Sequence, residues 1–182
     1  MLEYSTFSAK EWIAENLTTA KRLTPETLRA LENFTLMWNA FEGLLCNTHA
    51  DIKSFKALAA EIVKRRRCKA EIERIFTYYQ KRYYVKKDFT EHFIGLRFRS
   101  KSQKEFVETV VRGKKADFES RVLALLIILQ RIRNNLFHGL QSLDMLNSQA
   151  FNLYVACRAL ATLIEAHGRH YKRERYTEEF IG

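Results

Sequence analysis

Eight consecutive apolar residues, Val122 to Leu129, constrain the fold of this chain more than any other stretch. Written as a helix, Val-Leu-Ala-Leu-Leu-Ile-Ile-Leu leaves no polar face, and a helix apolar on every side belongs in the middle of a bundle. The run continues without a break into Gln130-Arg131-Ile132-Arg133-Asn134-Asn135-Leu136-Phe137-His138-Gly139. A polar cluster therefore projects from the end of a buried helix. Arg133, Asn134, Asn135 and His138 bring together a permanent cation, two amides and an imidazole that titrates near neutrality, a combination suited to handling a phosphodiester. Gly139 permits the left-handed residue that stops a helix.

The rest of the chain reads as helices around that one. One Pro and six Gly in 182 residues, 47% of them hydrophobic, predict an all-α protein with few turns and an ample core. The expected architecture is a single-domain, up-and-down bundle of four or five core helices over residues 24–171, with residues 1–23 as an N-terminal appendage. Ser8 and Glu11 have capping-box spacing for a first helix to about Arg22. Thr24-Pro25 starts the first core helix, with Leu28, Leu31, Leu36, Trp38, Phe41, Leu44 and Leu45 on its apolar positions. Asp51 caps the next, whose Ile52, Phe55, Leu58 and Ile62 point inward. Another runs from about Lys69 to Tyr84, with Ile72, Ile75, Phe76, Tyr79 and Tyr83 on one stripe. Residues 86–101 show no clean period and read as a loop or short helix. Ser102 and Glu105 form a second capping box, opening a helix that Gly113 ends. Asn147 or Ser148 caps the last long helix, with Phe151, Leu153, Tyr154, Cys157, Leu160 and Ile164 inward.

Charge is concentrated. Between residues 61 and 115 there are 17 Lys or Arg against 7 Asp or Glu, an excess of +10 that equals the net charge of the whole chain. Such a block reads as a polyanion-binding surface, and RNA is the expected partner through Lys64, Arg65, Arg66, Arg67, Lys81, Arg82, Lys86, Lys87, Arg97 and Arg99. Tyr78, Tyr79, Tyr83 and Tyr84 interleave with Lys81 and Arg82 and offer rings for base stacking, although half of them must face the core if their helix packs. No stretch reaches the roughly 18 apolar residues of a membrane span, and the N-terminus lacks the basic and apolar regions of a signal peptide, so a cytoplasmic location is expected. Cys46, Cys68 and Cys157 are far apart without CxxC spacing, which fits reduced structural thiols. His167 and His170 lack a third ligand and read as exposed residues of a polar terminal turn, so neither a metal nor a cofactor is expected.

Arg133-Asn134-x-x-x-His138, read in full as RNNLFHG between two helices, resembles the signature of the HEPN superfamily. The resemblance implies a helical bundle and a metal-independent endoribonuclease of toxin or phage-defence type, with Arg133, Asn134 and His138 catalytic and an antitoxin protein as a possible partner. In members paired with nucleotidyltransferase antitoxins the motif extends to RxxxxHxY. Leu140 takes that tyrosine's place here, so neutralisation by tyrosine modification at this position is not implied.

Helix geometry adds a reason for symmetry. Asn134 and His138 share a face, whereas Arg133 and His138, five residues apart, diverge by roughly 140° on a regular helix. Two copies facing each other would combine two Arg and two His in one cleft, and the family is known for composite sites at a dimer interface, so a homodimer is expected. Glu42, in register with Trp38 and Leu45 on an apolar helix, needs a partner, for which Arg133 or His138 would serve, or else reaches water at the edge of the stripe. Asn135 is a further supporting candidate. The rival reading is a non-catalytic helical module that binds RNA or a protein and keeps RNNLFHG as a structural corner.

Overall fold

Helix α7 spans Phe118–Phe137 and contains the whole apolar run. Of Val122–Leu129, only Leu123 is not fully buried. Each fully buried Leu or Ile contributes about 2 kcal/mol of transfer free energy, so this helix forces the others to cover it. The computed structural model describes residues 9–16, 23–114, 117–137 and 143–168, which fold as an all-α bundle with one minimal β-hairpin. Helices α3 (Ile52–Arg65), α4 (Lys69–Tyr83) and α6 (Lys101–Val111) pack on α7, and α9 (Ala150–His167) packs along α2 (Pro25–Leu45) as well as on α3 and α4. The smaller elements are α1 (Ala9–Asn16), the antiparallel pair β1 (Tyr84–Val85) and β2 (Asp88–Phe89), α5 (Glu91–Ile94) and α8 (Leu143–Leu146). A 3-10 turn, Asn147–Gln149, leads from α8 into α9. Ser8, residues 17–22 and His170, on which parts of the sequence reading rest, lie outside the described residues.

Local signals placed several helix ends. The Thr24 hydroxyl accepts the Thr27 N–H at 3.1 Å ahead of Pro25, and the Asp51 carboxylate accepts the Ser54 N–H at 2.7 Å. Two caps differ from expectation. Helix α6 is capped by Ser100, which accepts the Gln103 N–H at 3.4 Å, because the chain is already helical at Ser102. Asn147 does not cap α9, which has no side-chain cap bond. Its Oδ1 instead accepts from the Thr24 N–H at 3.1 Å and the Thr27 hydroxyl at 2.8 Å, tying the start of α2 to the turn before α9.

The buried stripes are narrower than the hydrophobic sequence suggests. Helix α2 buries Thr27, Ala30, Phe34, Trp38 and Phe41, while Leu36 is 69% exposed. Helix α9 buries Leu153, Ala156, Ala159, Leu160, Leu163 and Ala166, and Phe151 is 66% exposed, edge-on to Tyr78 at 5.7 Å. Alanines at the contact let the two helices lie close, and that close approach selects the stripe in place of the bulkier side chains. On α4 the expected stripe, Ile72, Ile75, Phe76, Tyr79 and Tyr83, is the buried one.

Helices α4 and α7 run parallel. At their beginnings Lys69 Nζ lies over the Phe118 ring at 5.4 Å and Arg121 pairs with Glu73 at 2.5 Å. Their ends, Arg82 and Tyr83 on one and Ile132, Asn135 and Leu136 on the other, line one cavity. The hairpin and α5 therefore sit at the motif end of α7. Residues 86–101, read as a loop or short helix, hold the hairpin's turn, β2 and α5. The hairpin turns at Lys86 and Lys87, with φ of 50° and 70°. A two-residue turn with positive φ at both positions favours Asn-Gly, and lysines there are strained. Lys87→Gly is expected to raise stability by about 1 kcal/mol, seen as a higher urea midpoint at unchanged slope.

Candidate functional site

The last turns of α7 divide into two faces with different work. Arg131 and Asn135, four apart, continue the buried stripe of Ala124 and Ile128. Arg131 is 4% exposed. Its Nε donates to Leu96 O at 3.0 Å and its Nη2 to Arg97 O at 2.6 Å, and Asn135 Nδ2 donates to Gly95 O at 2.8 Å. Burial first, and the Arg99 charge second, pull the Arg131 guanidinium below its usual range. Together the two side chains latch the segment Gly95–Arg97, in which Arg97 holds a left-handed backbone at φ 48°. Asn135, expected to support catalysis, is thus bound up in holding the fold. Arg131 was not singled out from the sequence, although its register with Ala124 and Ile128 marks it as a cation on a buried stripe.

Arg133 and Asn134 lie on the other face, both half-buried. Arg133 Nη1 donates to Asn134 Oδ1 at 3.2 Å, and the guanidinium lies 5.9 Å from the Trp38 ring centre, within cation–π range. Trp38 Nε1 donates to Glu42 Oε2 at 2.9 Å, and the Ala50 N–H points to Glu42 Oε1 at 3.4 Å. Glu42 therefore connects with Arg133 through the indole that both touch. Gln130 anchors the same region by donating to Ala50 O. His138, Gly139 and Leu140 lie outside the described residues.

The basic block is divided between two ends of the bundle. Lys64, Arg65, Arg66 and Arg67 precede α4, with Arg66 as the left-handed C-cap of α3. A Cβ placed on Gly168 would lie 3.1 Å from an Arg67 guanidinium nitrogen and 3.4 Å from one of Arg65, so these cations crowd the C-terminus of α9, where the helix dipole favours them. The length of α4, 15 residues, puts them roughly 22 Å from the motif end. Lys81, Lys86, Lys87, Arg97 and Arg99 are exposed at or near that end, and Arg82 is half-buried there. Tyr79 and Tyr83 belong to the core, where burial raises their phenols well above the ordinary value, while Tyr78 and Tyr84 are partly covered.

The other candidates are structural. All three cysteines are free, and burial lifts the Cys46 thiol to about 12 and the Cys157 thiol to about 11, so neither is a thiolate at neutral pH. His167, expected at the surface, is buried with Nε2 2.7 Å from Glu61 Oε2, because α9 extends as a packed helix to its last residue. Among the described residues no group of His, Cys, Asp or Glu is arranged to hold a metal ion, and no helix is long and apolar enough to cross a membrane.

A cavity of about 440 Å³ opens between the ends of α4 and α7, the helix α5 and the start of α9. Arg82 Nη2 donates to Gln149 Oε1 at 3.0 Å and faces His92 Nδ1 at 3.3 Å, and Asn152 Nδ2 donates to the same Gln149 oxygen at 3.3 Å. Burial, then the Arg82 charge, lower the His92 imidazole and favour its neutral form, with Nδ1 free to accept. The sequence reading missed this constellation, apart from Arg82, because its members are scattered along the chain from Arg82 to Asn152. Comparison with protein-family models, curated proteins and solved structures gives no match. Chemically, the motif end offers guanidinium and amide donors of the kind that bind a phosphate.

Proposed function

We propose that the chain is a metal-independent endoribonuclease of HEPN type, working in the cytoplasm as a homodimer. The observation that supports the reading is where the motif's Arg133 and Asn134 stand. They are hydrogen-bonded to each other on the last turns of the helix that contains the buried run Val122–Leu129, at the end of the bundle that carries Lys81, Lys86, Lys87, Arg97 and Arg99. A site on such a rigid element can keep the donor geometry that phosphoryl chemistry demands. RNA would meet these five cations first, and Lys64–Arg67, at the far end, would serve only a long strand.

In the mechanism, a ribose 2′-hydroxyl attacks the adjacent phosphorus and the bond to the departing 5′-oxygen breaks, leaving a 2′,3′-cyclic phosphate and a 5′-hydroxyl. His138 of one subunit accepts the hydroxyl proton, and His138 of the other donates a proton to the leaving oxygen. Arg133 binds the non-bridging oxygens as charge grows on them, and Asn134 orients either the phosphate or the imidazole. The toxin or phage-defence role, and an antitoxin as partner, belong to the same proposal and rest on the motif alone. The test is incubation of purified protein with single-stranded RNA and DNA in EDTA, followed by analysis of the termini. RNA ending in 5′-hydroxyl and cyclic phosphate, with DNA untouched, is expected. Products with 5′-phosphates, or activity that appears only on adding Mg²⁺, would rule the mechanism out.

A further inference from the structure

Helices α4 and α9 run antiparallel and meet along a seam whose outer rim stays open to solvent. Contacts cross it at successive levels. Toward the Lys64–Arg67 end, Arg158 Nε donates to Glu71 Oε1 at 3.2 Å, and Arg74 pairs with the same carboxylate. Midway, the Phe151 and Tyr78 rings stand edge-on with centres 5.7 Å apart. At the motif end, Arg82 Nη2 donates to Gln149 Oε1 at 3.0 Å.

Exposure sorts the groups along this rim. The side chains of Arg74 and Arg158 are 76% and 56% exposed, whereas the Glu71 carboxylate between them is mostly covered, so cations face the water. On α4, Arg74, Tyr78 and Lys81 fall at i, i+4 and i+7, and on α9 Phe151 and Arg158 are seven apart, spacings that keep each set on one face. Phe151, largely exposed and braced edge-on by Tyr78, is thus a ring set between cations on either side. A lone uncovered apolar side chain on a surface needs no ligand. This ring differs in its place, about 14 Å along α4 from Lys69 and between basic poles about 22 Å apart.

We propose that the α4–α9 seam guides a single-stranded RNA from the Lys64–Arg67 pole to the motif end, with one unpaired base stacked on Phe151. Charge selects a polyanion, because Arg74, Arg158 and Lys81 offer contacts to successive phosphates. The ring selects a single strand, since bases paired inside a duplex cannot reach it and every unpaired base has a face to stack. The span between the poles suits a site of several nucleotides, within the range of about 4 to 16 that single-strand grooves cover. The inference rests on the ribonuclease reading, to which it adds a path for the substrate.

The experiment uses the full chain carrying His138→Ala, so that RNA survives, and measures fluorescence anisotropy at one salt concentration. Its probes are a single-stranded RNA of about 16 nucleotides, the same backbone made abasic, and the corresponding duplex. Adding Phe151→Ser is expected to weaken the intact strand about tenfold and to leave the abasic strand and the duplex as they were. The position is exposed, so the melting temperature should not change. Phe151→Trp is expected to keep the affinity, and Phe151→Leu, apolar without a π face, to lose it as Ser does, a pattern that a structural role would not give. Intact-strand binding unchanged by Phe151→Ser, equal losses for intact and abasic strands, or full affinity with Phe151→Leu overturns the proposal. Sedimentation velocity supplies the remaining arm: a dimer that Phe151→Ser splits into monomers assigns the ring to a second copy of the chain and also overturns it. Ring-dependent binding by a parent chain that cuts no RNA keeps the seam and removes the nuclease reading, and cleavage by the parent without ring-dependent binding does the reverse.

Discussion

Replacing His138 by Ala is expected to lower RNA cleavage by about 10³-fold with the dissociation constant for RNA unchanged, because general acid and base catalysis together supply roughly 10² to 10⁴. In the proposed dimer both proton transfers pass through copies of this one residue, so the substitution removes acid and base at once. The same assignment requires one imidazole neutral and one protonated, which gives a rate profile that peaks near neutral pH and falls on either side. Measuring initial rates with the labelled strand and affinity by filter binding separates the two quantities. A His138→Ala protein that cuts as fast as the parent would sink the enzyme reading and leave the RNA-binding or protein-binding module. Arg133→Ala is a different experiment, since that guanidinium also packs near Trp38 and its loss mixes stability with chemistry.

Arg131→Ala is expected to destabilise the protein by about 3 kcal/mol, close to a 10 °C drop in melting temperature for a chain of this size. The guanidinium is the donor for Leu96 O and Arg97 O, and truncation leaves carbonyls without it in a site that water reaches poorly. Hydrogen bonds from a charged donor contribute about 1.5 to 3 kcal/mol each, and two are lost. Arg131→Lys should recover little, because one ammonium cannot reproduce two bonds made from Nε and Nη2 in a fixed fork. Differential scanning calorimetry decides it: a change under about 1 kcal/mol would mean that water satisfies these carbonyls and that the latch holds nothing.

How much of this was legible beforehand depended on whether a signal was local. Thr24-Pro25 and Asp51 announced their helices because an N-cap bond reaches only three residues. The run Val122–Leu129 announced burial because no arrangement of a helix could expose it cheaply. Ser102 misled because Ser100, two residues earlier, offered the same chemistry at the true helix start. Phe151 and Leu36 misled because hydrophobicity does not reveal which stripe a neighbouring helix will choose, and alanines won at the contact between α2 and α9. At the site, Arg133 and Asn134 were visible as a motif, whereas the cavity required Arg82, His92, Gln149 and Asn152 to meet from separate helices and a turn. No spacing in one dimension encodes that.

Covering α7 has a consequence for how two copies of the chain could meet. A helix that spends its sides on its own bundle has no flank to offer a second subunit, so Arg133 can face its counterpart only if the bundles approach tip to tip. The adhesive surface for such a meeting must then be borrowed from elsewhere. Leu36 on α2, the helix whose Trp38 adjoins Arg133, is a large apolar side chain left uncovered on the described surface. Affinity between subunits and the chemistry between their tips would thus be set by different residues, free to vary independently.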